Sequence, residues 1–314
     1  MNGLELSRRY FEEYGKPMLE RDFSEIMPLL AAGFVGSGSE RFGFDDEISR
    51  DHDFEPGFCL FLPDKEVISE RTEFLLERAY AKLPSEFLGF RRGRLSPVGG
   101  NRCGIMRTAE FYLDHAGTKD GLLNITDWFT IPDSALAEAV NGEVFFDNYG
   151  EFTRIRNSII NMPKDIRLKK IAGNVLTAAQ SGQYNFLRCI SHGEPEAAQL
   201  ALYEFANAAM KCIFLINKRY MPFYKWSFRA LGQIDGTASF AGNISLLLCG
   251  DNRLPDICEK KADAVEDCAA YICSSLRANA LTREDSDELE KHAYSINSLI
   301  KDGNIRNMNI LCAV

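Results

Sequence analysis

No run of apolar residues in this 314-residue sequence approaches the roughly 20 that a membrane-spanning helix needs; the best is the short ISLLLC at 244–249. The amino-terminal MNGLELSRRYFEEYGK mixes charges of both signs at helical spacing and has no apolar signal core. These absences predict a cytoplasmic protein with no membrane association. Cysteine pairs are also missing. The nine cysteines are odd in number, thinly spread and never spaced Cys-x-x-Cys, so reduced, mostly buried thiols are expected. The four histidines and nine cysteines form no His-Cys cluster that suggests zinc, and His115 and His292 read as surface residues. Basic excess is lacking as well: 36 Lys and Arg against 45 Asp and Glu leave a net charge of −9. That argues against a broad nucleic-acid surface, which needs clustered cations. An anionic ligand would require a metal or a local basic patch.

What is present is an ordinary globular composition, 46% hydrophobic and 26% charged, in a chain longer than one core usually fills. Apolar spacing predicts helices over 4–20 and 22–30, then a buried strand in AAGFVGS at 31–37. A second strand is expected in DHDFEPGFCLFLP at 51–63 and a helix over 65–82. The basic, glycine-rich 89–104 reads as a loop around a short strand. A helix in TAEFYLDHAG, a capped helix at 132–142 and a third strand in EVFFDN at 143–148 follow. Beyond Glu151 the period is helical to the end. The expectation is an α+β chain: a catalytic α/β domain with a small mixed sheet over 1–150, and an all-helical substrate-binding domain over 151–314, the two enclosing a cleft.

Residues 36–54 read GSGSERFGFDDEISRDHDF, an unusual density of carboxylates behind a Gly-Ser turn. On an extended strand Asp51 and Asp53 point to one face about 7 Å apart, with His52 turned away. Two like charges at that separation repel by about 2.4 kcal/mol at an effective dielectric of about 20, so the pair favours a divalent cation. Hard oxygen ligands suit Mg²⁺, which shares its shell readily with phosphates. Gly36 allows close backbone approach and Ser37 offers a hydroxyl to phosphate oxygens. Asp45, Asp46 and Glu47 read better as turn or capping residues than as ligands.

Gly-Ser after a small-residue strand, 13 residues, then Asp-His-Asp opening an apolar strand resembles the nucleotidyltransferase superfamily typified by DNA polymerase beta and kanamycin nucleotidyltransferase. The string GSERFGFDDEISRDHDF, with GEVFFDNYGEF, GQYNFLRC and NKRYMPFYKW, is similar to a bacterial branch of it known mainly as a domain of unknown function. The resemblance implies a nucleotidyltransferase-type core, two Mg²⁺ ions, a nucleoside triphosphate as co-substrate, and transfer of its nucleoside monophosphate with release of pyrophosphate. It places Gly36 and Ser37 on the phosphate-binding turn and Asp51 and Asp53 on the metal pair; His52 departs from the apolar residue more usual there.

The usual mechanism needs a third carboxylate, as metal ligand or proton acceptor. Asp147 at the end of EVFFDN is the first choice, with Glu143 and Glu151 as alternatives and capping as an equally economical role for each. In NKRYMPFYKWSFR, 217–229, cations alternate with aromatics. Arg219, Lys225 and Tyr224 either clamp the triphosphate and stack the base, or belong to a helix junction whose rings fill the core. Arg91, Arg92 and Arg94 read as solvated. Arg188 and His192, four apart, only faintly resemble the Arg and His of helical ribonuclease domains. The resulting expectation is a Mg²⁺-dependent nucleotidyltransferase acting on an acceptor hydroxyl, most readily of a small molecule. The alternatives are a non-catalytic nucleotide sensor or a helical-domain ribonuclease.

Overall fold

A computed structural model describes residues 1–48, 54–92 and 102–314. Two compact units form, Met1–Leu123 with Ala135–Asn161, and Asn124–Ser134 with Met162–Val314. The class is α+β, with a small mixed sheet in the first unit and helices throughout the second.

The first unit opens with α1 (Gly3–Tyr10), capped by the Asn2 side chain on the Glu5 amide. One wide π-type turn, Phe11–Gly15, carries it into α2 (Lys16–Asp22). The helix expected over 22–30 does not form. Phe23 leaves the helical region at φ −138°, and Pro28, which has no amide hydrogen, sits in a short 3₁₀ turn at Met27–Leu29. Next come β1 (Ala31–Phe34), β2 (Cys59–Leu62), α3 (Glu70–Ala81), the hairpin strands β3 (Glu86–Phe87) and β4 (Phe90–Arg91), β5 (Gly104–Arg107) and α4 (Thr108–Ala116). Leu88 and Gly89 turn the hairpin with φ of 51° and 84°, as a two-residue turn between twisted strands requires.

After α5 (Ile125–Thr130) in the second unit and α6 (Asp133–Ala139), the chain adds β6 (Glu143–Asp147) and α7 (Glu151–Ile160). The sheet order is β5-β2-β1-β6, with β2 and β6 antiparallel to β1, and β5 parallel to β2. Gly33 is required where β1 meets β6: a Cβ there would lie 2.5 Å from the Glu143 carbonyl. Ala32 pairs with Phe146 but Gly33 with Val144, so Phe145 is an extra residue in the ladder. This bulge lets both Phe145 and Phe146 pack on Phe11, at centroid distances of 5.3 and 5.7 Å.

Alternation along β2 divides the core. Leu60 and Leu62 join Leu6, Tyr10, Phe11, Leu19, Phe58 and Leu76 on one face. Phe61 faces Phe111 of α4 and Phe152 of α7, 5.2 and 4.2 Å away. Each such ring contributes about 1.5–3 kcal/mol by burial, which is why α7 belongs to the first unit although it follows residue 150. Conversely, 124–134 joins the second unit, where Lys170 binds the Asp133 carboxylate at 2.6 Å and the Trp128 carbonyl at 3.2 Å. The chain therefore passes between units at 123/124, 134/135 and 161/162.

The second unit is built on α8 (Lys164–Ala178), buried along most of its length, followed by a π-type segment Ala179–Phe186, α9 (Leu187–Ser191), α10 (Pro195–Ile216), α11 (Tyr224–Leu231), α12 (Ala238–Cys249), α13 (Pro255–Ala278), α14 (Leu289–Ser298) and α15 (Gly303–Asn307). Among the described residues α10 alone has the length and composition to cross a membrane, which the short runs of the sequence had not indicated. It is mostly buried, with Leu202, Phe205, Ile213 and Phe214 in the core. Two buried amines on this scaffold are satisfied by neutral oxygens. Lys169 donates to Asn297 and the Arg306 and Met308 carbonyls, and Lys261 to Gln199, Asn252 and the Gly250 carbonyl. Burial holds both amines below the ordinary lysine range. His292, expected at the surface, is fully buried between Thr282 Oγ1 and the Ser286 carbonyl.

Candidate functional site

The Gly-Ser turn leaves the sheet where β1 ends. Gly36 has φ of 100°, a conformation that glycine adopts without strain. Its amide donates to Asn141 Oδ1 at 2.8 Å, and its carbonyl accepts from Asn141 Nδ2 at 2.7 Å. Ser37 Oγ donates to Glu138 Oε2 at 2.6 Å. A serine and a carboxylate from α6, 101 residues apart, thus form one polar pair beside the turn.

His115 completes the surroundings and is not a surface residue. Its ring stacks on Phe111 at 4.4 Å and is half-buried, with Nδ1 2.9 Å from the Phe111 carbonyl. Nδ1 donates to that carbonyl, and Nε2 lies 3.4 Å from where a Gly36 Cβ would stand. Glu138, Asn141 and His115 were missed in the sequence because nothing local links them to the turn.

Behind the turn, Arg41 is 3% exposed and ion-paired with Glu40. Its Nε donates to the Val35 carbonyl at 2.8 Å, its Nη2 to the Arg102 carbonyl at 2.7 Å, and its guanidinium lies over the Phe34 ring. This one side chain ties the end of β1 to the start of β5. Cys103 is buried and accepts from Arg41 Nη2 at 3.5 Å, and its neighbour Cys59 together with burial holds its thiol well above the ordinary range.

Asp51 and Asp53 lie outside the described residues, as do Arg50, His52 and Arg94. The described chain resumes at Phe54 and enters β2 at Cys59, which pairs with Gly33 close to where β1 gives way to the Gly-Ser turn. Asp45 accepts from the Gly3 amide at 3.0 Å, in keeping with a capping role.

Asp147 is not at this end of the sheet. It pairs with Ala31, where β1 begins, whereas Glu143 pairs with Phe34, where β1 ends. Three residues of strand, about 10 Å, separate it from the level of the turn. Both its oxygens are also engaged: Oδ1 accepts from the Gly150 amide at 2.8 Å and Oδ2 from the Thr153 amide at 2.7 Å, capping α7. The carboxylate sought there caps a helix. Glu143 is at the nearer end but is ion-paired with Arg8. Glu151 lies close to Asp147 and Asp64, and burial first, then their repulsion, raises its pKa.

In the second unit Arg219, Tyr224 and Lys225 are all exposed, Tyr224 by 74%, and Tyr224 stacks on Phe223 at 4.2 Å. These rings do not fill a core. Arg188 lies over the Tyr184 ring and is exposed, as is His192. Arg92, expected in solvent, is half-buried over the rings of Tyr10 and Tyr80 and donates to the Tyr10 hydroxyl at 2.5 Å, whereas Arg91 is exposed.

A family model described as "Domain of unknown function (DUF4037)" matches residues 128–227, which include Glu138, Asn141, Asp147 and the stretch from Arg219 to Lys225. No curated protein matches, and no solved structure does.

Proposed function

We propose that the chain is a cytoplasmic Mg²⁺-dependent nucleotidyltransferase that moves a nucleoside monophosphate from a triphosphate to an acceptor hydroxyl and releases pyrophosphate. One observation carries the reading. The Gly36–Ser37 turn leaves β1 close to where the antiparallel β2, preceded in sequence by Asp51-His52-Asp53, enters the sheet. A hydroxyl-carboxylate pair stands at that turn.

The donor chemistry suits Mg²⁺: Ser37 and Glu138 are hard oxygen donors, although no cluster of three or more ligating side chains occurs among the described residues. Asp51 and Asp53 are the residues that would hold the metal, and Glu138 takes the place of Asp147 as the third carboxylate. When bound, Mg²⁺ neutralises charge on the phosphates.

The chain's own residues do the rest. On nucleotide binding the Ser37 hydroxyl turns from Glu138 to a phosphate oxygen. Glu138, released from that bond, is free to take the proton of the acceptor hydroxyl as its oxygen bonds to the α-phosphorus. The bond from the α-phosphorus to the bridging oxygen breaks, and pyrophosphate leaves with the electron pair.

Incubation with Mg²⁺, each of the four nucleoside triphosphates and a metabolite extract tests this. Pyrophosphate release with mass gain of one nucleotide on an acceptor is expected. Binding of a triphosphate without either product would favour a sensor.

A further inference from the structure

Residues 205–234 contain no Asp or Glu in a chain of net charge −9, yet carry five Lys and Arg. The α11 helix within this stretch has a narrow buried face, Ser227, Ala230 and Leu231. Its other side exposes rings: Tyr224 is 74% and Phe228 39% exposed, and Phe223 just before the helix 43%. Large aromatics are seldom left in water in such a group, and this one has cations beside it. Tyr224 and Phe228 stand one helical turn apart, about 6 Å, and Lys225 and Arg229 form the adjoining stripe at the same spacing. Arg219 is exposed ahead of them.

We propose that this face of α11 binds single-stranded nucleic acid, with successive bases on Tyr224 and Phe228 and the intervening backbone phosphate on Lys225 and Arg229. Two ring platforms with two flanking cations exceed what one nucleotide uses and match a dinucleotide step, in which every base offers a π face and every linkage a negative charge. A duplex hides its base faces and offers phosphate alone. The inference goes beyond nucleotidyl transfer and is tested with neither nucleotide nor metal present, so either reading can fail without the other.

The experiment is fluorescence anisotropy on the full chain with end-labelled 12-nucleotide single strands of RNA and of DNA, and with the DNA duplex, at low and at physiological salt. At least one single strand binds about tenfold or more tightly than the duplex, and the RNA and DNA arms show which sugar is preferred. Tyr224→Ala with Phe228→Ala, both at exposed positions, weakens binding by about tenfold or more with unchanged circular dichroism. Lys225→Ala flattens the dependence of log affinity on log salt by about 0.7. Absence of saturable binding to either single strand, equal binding to the duplex, or retention of wild-type affinity by the aromatic double variant overturns the proposal.

Discussion

Replacing Asp147 separates a helix cap from a metal ligand. Its two oxygens accept from the Gly150 and Thr153 amides at 2.8 and 2.7 Å, two of the donors that the first turn of α7 cannot satisfy internally. A cap is worth about 0.5–2 kcal/mol, and a carboxylate at a helix N-terminus adds about 0.3–1 kcal/mol. Because both amides are engaged, the upper part of that range applies, about 2 kcal/mol for Asp147→Ala. For a unit of this size that lowers Tm by about 4–8 °C. Asp147→Asn keeps one acceptor oxygen and loses about half as much. Thermal unfolding followed by circular dichroism measures both, and Mg²⁺-dependent nucleotide affinity of the folded variants should match wild type. A wild-type Tm in Asp147→Ala, or loss of nucleotide binding in a fully stable Asp147→Asn, refutes the cap and restores a ligand.

Other outcomes follow from the same geometry. Ser37→Ala should weaken triphosphate binding by about 1.5–3 kcal/mol in calorimetry, the range for a hydrogen bond to a charged group. Glu138→Gln should keep nucleotide binding but lower turnover by about 10²-fold or more once an acceptor is known. The Lys170–Asp133 pair is buried, with side chains 6% and 7% exposed. Asp133→Asn should therefore cost about 3–5 kcal/mol in urea unfolding, while joint replacement by apolar residues recovers most of it. The folded state raises the Glu151 pKa, so it favours the protonated acid and loses stability as pH rises from the unfolded pKa through the folded one. Glu151→Gln should flatten that acidic limb of the Tm profile; an unchanged limb would assign it to other groups.

The strands were legible because burial writes itself into short apolar runs such as AAGF and CLFL, all of whose residues are buried. The helical second half was legible for the same reason at a different period. The 22–30 segment misled because its apolar spacing survives in a turn and a 3₁₀ stretch that pack Phe23, Ile26, Met27 and Leu29, half-buried, against the core. The division near residue 150 failed on α7, whose amphipathic face says that it packs but not on what. Asp147 misled through chemistry: a carboxylate one strand-end before Gly150 is equally suited to a metal and to amide donors, and only the register with Ala31 decides. Glu138 and Asn141 reach the Gly-Ser turn across separations of 101 and 105 residues. No periodicity or spacing rule covers such a distance.

The central claim is that Asp51, Asp53 and the Gly-Ser turn bind a metal-nucleotide, and thermal unfolding with Mg²⁺ and each nucleoside triphosphate tests it most directly. A nucleotide at a hundredfold excess over its Kd stabilises the native state by about 2.7 kcal/mol. The account predicts a Tm rise that needs both Mg²⁺ and nucleotide and disappears in the double variant Asp51→Asn, Asp53→Asn. A full rise in that variant, or none with any of the four triphosphates in the wild type, would contradict it.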